Sequence, residues 1–146
     1  MNARKYSRGF TLIEVLIVVV ILAVLAATII PQFTDSTKDA QTSSMRMNLH
    51  TLRAQIQLYK AQHGGKLPSG TLAELTIGTN VDGTAGTKYG PYMQALPVNS
   101  LTDSSAVKSI STATAVAGDV TSGGAGWIFS TKSGNIWIDH ADYFTE

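Results

Sequence analysis

From Val15 to Ala27 the chain is apolar without a break, inside a 21-residue run, Phe10 to Ile30, whose only charge is Glu14. A helix of that length reaches about 30 Å, the hydrocarbon thickness of a bilayer. One membrane-spanning helix is therefore expected. Residues 1–9 carry Arg4, Lys5 and Arg8 and no acid. Because Lys and Arg stay on the cytoplasmic side, this cluster puts the N-terminus inside and everything after Pro31 outside. A secretory signal peptide fits less well. Its apolar core runs ~7–15 residues and ends at a small-x-small site. Here the run is longer, Glu14 stands near its start, and the best Ala-containing sites have Leu25 or Val24 at the minus-three position.

The remainder is enough for one core, since 146 residues amount to a single domain. Eleven Lys and Arg against ten Asp and Glu leave a net charge of +1, which gives no basic excess for direct nucleic-acid binding. Cysteine is absent, which removes disulfides, thiolate metal sites and Cys nucleophiles.

Between Gln32 and His63 there is no Gly or Pro, so nothing stops a helix. Met45, Leu49, Leu52, Ile56 and Tyr59 recur at spacings of four and three and form one stripe. Lys38, Asp39, Gln41, Arg46, Arg53 and Lys60 are expected on the opposite, solvated face, and the helix is expected to stop at His63-Gly64-Gly65. From Lys66 onward, short apolar clusters separated by Gly, Pro, Asn and Asp read as loops and short strands. Thr71 to Leu75 suits a helical turn or two, and the loop from Tyr89 to Pro97 is expected to pack on the helix. Ala106 to Val120 suits strands but has little pattern. Gly126 to Thr131 and Asn135 to Asp139, flanking Lys132-Ser133-Gly134, predict an antiparallel hairpin. Strand alternation puts Trp127 and Phe129 on one face, where they meet the helix stripe.

Arg8-Gly9-Phe10-Thr11-Leu12-Ile13-Glu14, after a short basic leader and before an apolar helix, resembles the class III leader of type IV pilins and of the pseudopilins of type II secretion. The resemblance implies that a prepilin peptidase cuts after Gly9, that Phe10 is N-methylated, and that Glu14 is needed for assembly. Cleavage there leaves 137 residues with eight Lys and Arg against ten acids. The residues also make sense on their own: Gly9 lets the backbone enter a protease cleft, and a carboxylate in a membrane helix needs a partner. The new amine of Phe10 is one, either within the helix or from a neighbouring subunit, where the pair would set axial register. Pro31 marks the membrane exit or acts as a helix break that lets the helix unwind in a filament; both readings are open. His63-Gly-Gly-Lys-Leu-Pro-Ser and Gly90-Pro91-Tyr92 with Leu96-Pro97 are similar to segments of major pseudopilins. The calcium-binding loop of those proteins has no clear counterpart, and the late cysteines of many type IV pilins are missing, which favours the pseudopilin branch.

Asp139, His140 and Asp142 gather possible ligands near the C-terminus, and calcium would take the carboxylates of Asp139 and Asp142, with Asp103 and Asp119 as contributors. A solvated strand end is the first reading of these residues, and calcium the alternative. No cofactor is otherwise implied. His50 and His63 read as surface residues of the helix. No nucleophile, base or carboxylate pair stands at a suggestive spacing, so no enzyme is expected.

The expected fold is α+β: a long N-terminal helix, transmembrane in its first half and amphipathic in its second, packed on a small antiparallel sheet. The divisions are a leader at 1–9, a membrane and filament-core helix at 10–31, an amphipathic helix at 32–63 and a loop and sheet head at 64–146. The resemblance implies a homopolymer, the structural subunit of a type II secretion pseudopilus. Its implied partners are the prepilin peptidase, the membrane, an assembly ATPase, a platform protein and minor pseudopilins. The subunit would lie in the bacterial inner membrane with its head outside the cytoplasm, and in a periplasmic filament after assembly. The alternatives are a type IV pilin for adhesion, motility or DNA uptake, and a tethered binding module that never polymerises.

Overall fold

The computed structural model describes residues 9–145. Arg4, Lys5 and Arg8 of the leader lie outside the described residues. The elements in chain order are helix α1, Leu12–Gln62, a short 3-10 turn at Ala73–Leu75, strand β1, Val107–Ile110, a second 3-10 turn at Ala117–Asp119, and strands β2, Trp127–Ser130, and β3, Ile136–Ile138. The chain divides into two units, Met1–Asp39 and Ala40–Glu146.

In the first unit every described residue is exposed. Leu12, Val15, Leu16, Val19 and Leu22 each leave about half or more of their surface uncovered. Helix α1 is long and apolar enough to cross a bilayer. It passes through Pro31 without interruption. Proline removes the N–H that would bond the Ala27 carbonyl, and the helical hydrogen bonds before and after it hold the segment regardless. Around it, side chains satisfy their hydroxyls on their own helix: Thr28 donates to the Leu25 carbonyl (2.9 Å), Thr34 to Ile30 (3.1 Å) and Thr37 to Phe33 (2.9 Å). A helix that meets its polar needs this way presents an apolar exterior.

In the second unit the expected stripe is the core. Met45, Leu49, Leu52, Ile56 and Tyr59 are buried with Leu72, Leu75, Trp127, Phe129, Ile136 and Ile138. Strand alternation sorts the hairpin as the sequence implied: Trp127 and Phe129 face α1, while Ile128 and Trp137 join Ile110 and Ala115 on the other face of the sheet. Tyr92, Met93 and Leu96 of the expected loop also pack on the helix side. Arg53, expected in solvent, instead reaches the sheet and donates to the Ile136 carbonyl (3.1 Å).

The sheet is mixed rather than wholly antiparallel. β2 and β3 pair antiparallel, with Trp127 opposite Ile138, but β1 pairs parallel with β2, Val107 opposite Trp127. Parallel neighbours need a long crossover. Residues 111–126 supply it, and Ala115 and Val120 within them cover the outer face of the sheet.

The end of α1 follows from two glycines. Gly64 (φ 63°) and Gly65 (φ 90°) take left-handed conformations open to glycine, and the Gly65 N–H bonds the Lys60 carbonyl (2.8 Å). His63 departs from expectation, because it is buried rather than a surface residue. Its ring stacks on Tyr59 with centroids 3.8 Å apart. Nδ1 lies 2.8 Å from the Tyr59 carbonyl and must donate to it, and Nε2 meets the Thr79 hydroxyl at 3.0 Å. The imidazole thus ties the end of α1 to the 79–89 loop.

Candidate functional site

The residues singled out at the N-terminus occupy the first turn of α1. Thr11 is the residue before the helix and Glu14 its third position. The Thr11 N–H and hydroxyl both donate to Glu14 Oε2, at 2.8 and 2.6 Å, and the Glu14 N–H donates back to the Thr11 hydroxyl at 3.3 Å. This reciprocal arrangement is a capping box, which satisfies amides that a helix start leaves without partners. The carboxylate also lies at the positive end of the helix dipole. Among the described residues of the uncleaved chain, Glu14 is bonded to Thr11. The sequence reading passes over Thr11, although Thr-x-x-Glu directly ahead of an apolar run is the signature of such a box.

Replacing Thr11 with Val removes the hydroxyl while keeping the shape. The first turn should lose about 0.5–2 kcal/mol. Amide exchange of the protein in detergent micelles should then accelerate at residues 13–15 and stay unchanged beyond the second turn. Unchanged exchange at Glu14 and Val15 would mean that the box contributes nothing.

Gly9 precedes the helix, and a Cβ built on it meets nothing within 4 Å. Its φ does not lie in the left-handed range either. Among the described residues, nothing in the fold demands glycine at this position. Phe10 is 89% exposed.

The C-terminal carboxylates are not brought together. Asp139 is buried and spends its carboxylate on the 121–125 loop, accepting from the Thr121 N–H (2.6 Å), the Ala125 N–H (3.1 Å) and the Thr121 hydroxyl. Asp142 is exposed beside His140, with Oδ2 3.8 Å from Nδ1. Asp119 accepts from the Val116 N–H (3.0 Å), and Asp103 sits in an exposed turn at φ 51°. Among the described residues no three His, Cys, Asp or Glu side chains gather closely enough to hold a metal. Asp139 is a loop clamp rather than an open ligand: a buried carboxylate has to be hydrogen-bonded, and the loop provides the donors.

Elsewhere in the head, the Thr84 hydroxyl and N–H hold the Asp82 carboxyl below its usual range. A carboxylate lowered in this way supports the turn above the unfolded pKa, and that support is lost as pH falls through the folded one. Burial pushes the Tyr59 phenol up.

Residues 4–30 match the family described as the prokaryotic N-terminal methylation motif. The chain is 37% identical over 57 residues to type II secretion system core protein G of Pseudomonas aeruginosa, a match that spans 39% of this chain and 40% of that protein. It is 31% identical over 137 residues to prepilin peptidase-dependent protein D of Escherichia coli, covering 92% of this chain and 88% of the relative. A fimbrial protein of Neisseria meningitidis is 30% identical over 92 residues, 63% of this chain and 50% of its own. No solved structure gives a significant match.

Proposed function

Because the chain belongs to the type IV pilin and pseudopilin family, whose members are structural proteins, we propose that it is a filament subunit, processed at Gly9 and assembled through the apolar part of α1. The observation that carries this reading is the pairing of the methylation motif with an apolar helical segment whose described residues are all exposed. Lipid covers such a surface in the membrane and sister helices cover it in a filament. A heterologous contact that does not close generates a helical polymer, so one repeated interface is enough.

In this reading the peptidase cuts between Gly9 and Phe10, and the indifference of the fold to a side chain at residue 9 leaves glycine as a requirement of the protease cleft. Phe10 then carries the methylated amine. Glu14 exchanges its hydrogen bonds with Thr11 for the amine of a neighbour, which sets the stagger of the helices. Pro31 weakens the helix locally where it leaves the bilayer. The N-terminus faces the cytoplasm and the head lies outside it, with an assembly ATPase, a platform protein and minor subunits completing the machine.

A type II secretion pseudopilus is the first assignment, supported by the likeness to core protein G and by the cysteine-free head. A surface pilus is the second, supported by the fimbrial-protein match, which is longer than the core protein G match. Deletion of the gene separates the two: loss of secreted proteins with no change in surface fibres marks a pseudopilus, and loss of surface fibres marks a pilus.

Processing is tested by intact mass and N-terminal analysis of the chain co-expressed with a prepilin peptidase. The expected product begins at N-methylated Phe10. A chain cut near Ala26 or Ala27, or left uncut, overturns the filament reading.

A further inference from the structure

Residues 116–126, the second half of the crossover between β1 and β2, have little burial to hold them. No residue from Val116 to Gly124 is buried, and four of the eleven are glycine: Gly118, Gly123, Gly124 and Gly126. Glycine loses the most conformational entropy on being fixed, so a segment of this kind keeps one path only where hydrogen bonds impose it. Two charged side chains from the sheet and its end impose it here. Asp139, directly after β3, accepts the Thr121 N–H on Oδ1 (2.6 Å) and both the Ala125 N–H (3.1 Å) and the Thr121 hydroxyl on Oδ2. Its own N–H donates to the Gly126 carbonyl (3.1 Å). Lys108, within β1, donates from Nζ to the Asp119 carbonyl.

We infer that Asp139 and Lys108 close the crossover from within the chain, and that the head keeps this fold without a divalent cation. The polarity of the loop is what points this way. Calcium is held by converging oxygens, about six to eight of them. What converges between Thr121 and Ala125 is the reverse, two backbone N–H groups and a hydroxyl, a nest that suits an anion, and the Asp139 carboxylate fills it. Asp139 is buried, so its oxygens need these donors, and a cation drawn to the carboxylate would have to displace them. The Asp119 carbonyl, an oxygen that a cation could use, is already met by the ammonium group of Lys108. The Asp119 carboxylate accepts from the Val116 N–H (3.0 Å), and Asp103 and Asp142 are exposed on other turns. The carboxylates that the sequence offers to calcium are thus committed or apart, and the residues present do not fit the ion. This closure belongs to the head alone and is the same for a subunit of a pseudopilus and of a surface pilus.

Amide exchange and thermal unfolding of the full chain in detergent micelles, each in excess chelator and in excess calcium chloride, test this. The parent chain should show the same protection at Thr121 and Ala125 and the same melting temperature in both. Calcium that slows exchange in this segment, or raises the melting temperature by several degrees, overturns the inference, because an ion that binds only the folded head must stabilise it. Asp139→Asn keeps the size of the side chain but turns an amide NH2 towards N–H donors. Exchange at Thr121 and Ala125 should then accelerate at least about tenfold, and calcium should not restore it. Lys108→Met keeps the apolar stem and removes the ammonium. Exchange should accelerate at Asp119 and Val120 and stay parental in α1. Parental exchange at Thr121 and Ala125 in the first variant, or at Asp119 and Val120 in the second, overturns closure by that residue. Should Asp139→Asn give no folded head, Lys108→Met still tests the closure and the parent chain still tests the cation.

Discussion

Subunits carrying Glu14→Leu should reach the membrane, lose their leader and form no filaments. Leucine suits a lipid-exposed helix better than glutamate does, so anchoring survives the change. Residue 14 is five positions past the scissile bond, so cleavage after Gly9 survives as well. In the filament reading, what disappears is the contact between this carboxylate and the amine of a neighbour. The amine on the neighbour would then be left in apolar surroundings without its anion. A polymer repeats the loss at every subunit. Glu14→Gln separates the two duties of the residue. The amide oxygen can still accept from Thr11, as Glu14 Oε2 does, so the helix cap persists while the charge is gone. If the charge is what assembly needs, the glutamine variant behaves as the leucine variant does. Filament counts by electron microscopy, normalised to the mature subunit in the membrane, decide the matter. Glu14→Leu subunits that assemble at the parental level would remove Glu14 from the mechanism.

Trp127→Ala should be the most damaging single change in the head. The indole is fully buried among the helix stripe and the sheet, and its N–H donates to the Pro97 carbonyl at 2.9 Å. Truncation empties a large volume at the contact between α1 and β2 and leaves that carbonyl without its donor. Large-to-small changes of this kind cost about 3–5 kcal/mol, against the ~5–15 kcal/mol that a domain of this size has in total. For a head of this length the melting temperature should fall by at least about 12 °C. Thermal unfolding of the full chain in detergent, followed by near-ultraviolet circular dichroism, checks this. Trp127→Phe fills much of the space and should lose less. A melt within a few degrees of the parent would mean that the helix and sheet do not depend on this contact. The leader should still be removed from the Ala variant, since processing draws on the first unit of the chain and the damage lies in the second.

Local signals are the ones that can be read from the sequence. The five-residue stripe from Met45 to Tyr59 needs only its spacing, and the hairpin needs only alternation and a short glycine-containing loop. Both involve neighbours in sequence, where the helical and strand periods bear directly on the pattern. The capping box is equally local, and it is missed when attention stays on the charge of Glu14 rather than on the hydroxyl three residues before it. β1 is a different case. Its pairing with β2 joins segments about 20 residues apart, and parallel pairing leaves no turn residues to mark it. His63 and Arg53 depart from expectation for a related reason. Both look polar and solvated on a helical wheel, and only the arrival of Thr79 and of the Ile136 carbonyl from distant segments gives them partners.

The amino-acid sequence by itself determined the membrane-length apolar segment, the processing motif, the long helix and the stripe it buries, because each depends on residue type and period within one continuous stretch. The tertiary structure decided the mixed order of the sheet, the burial of His63 and the use of Asp139 as a loop clamp. Each of those is a matter of which distant group supplies a hydrogen bond or covers a face. Asp139 shows the difference most plainly: near His140 and Asp142 in sequence it reads as part of a solvated strand end, while in the fold it is buried and the amides of Thr121 and Ala125 donate to its carboxylate.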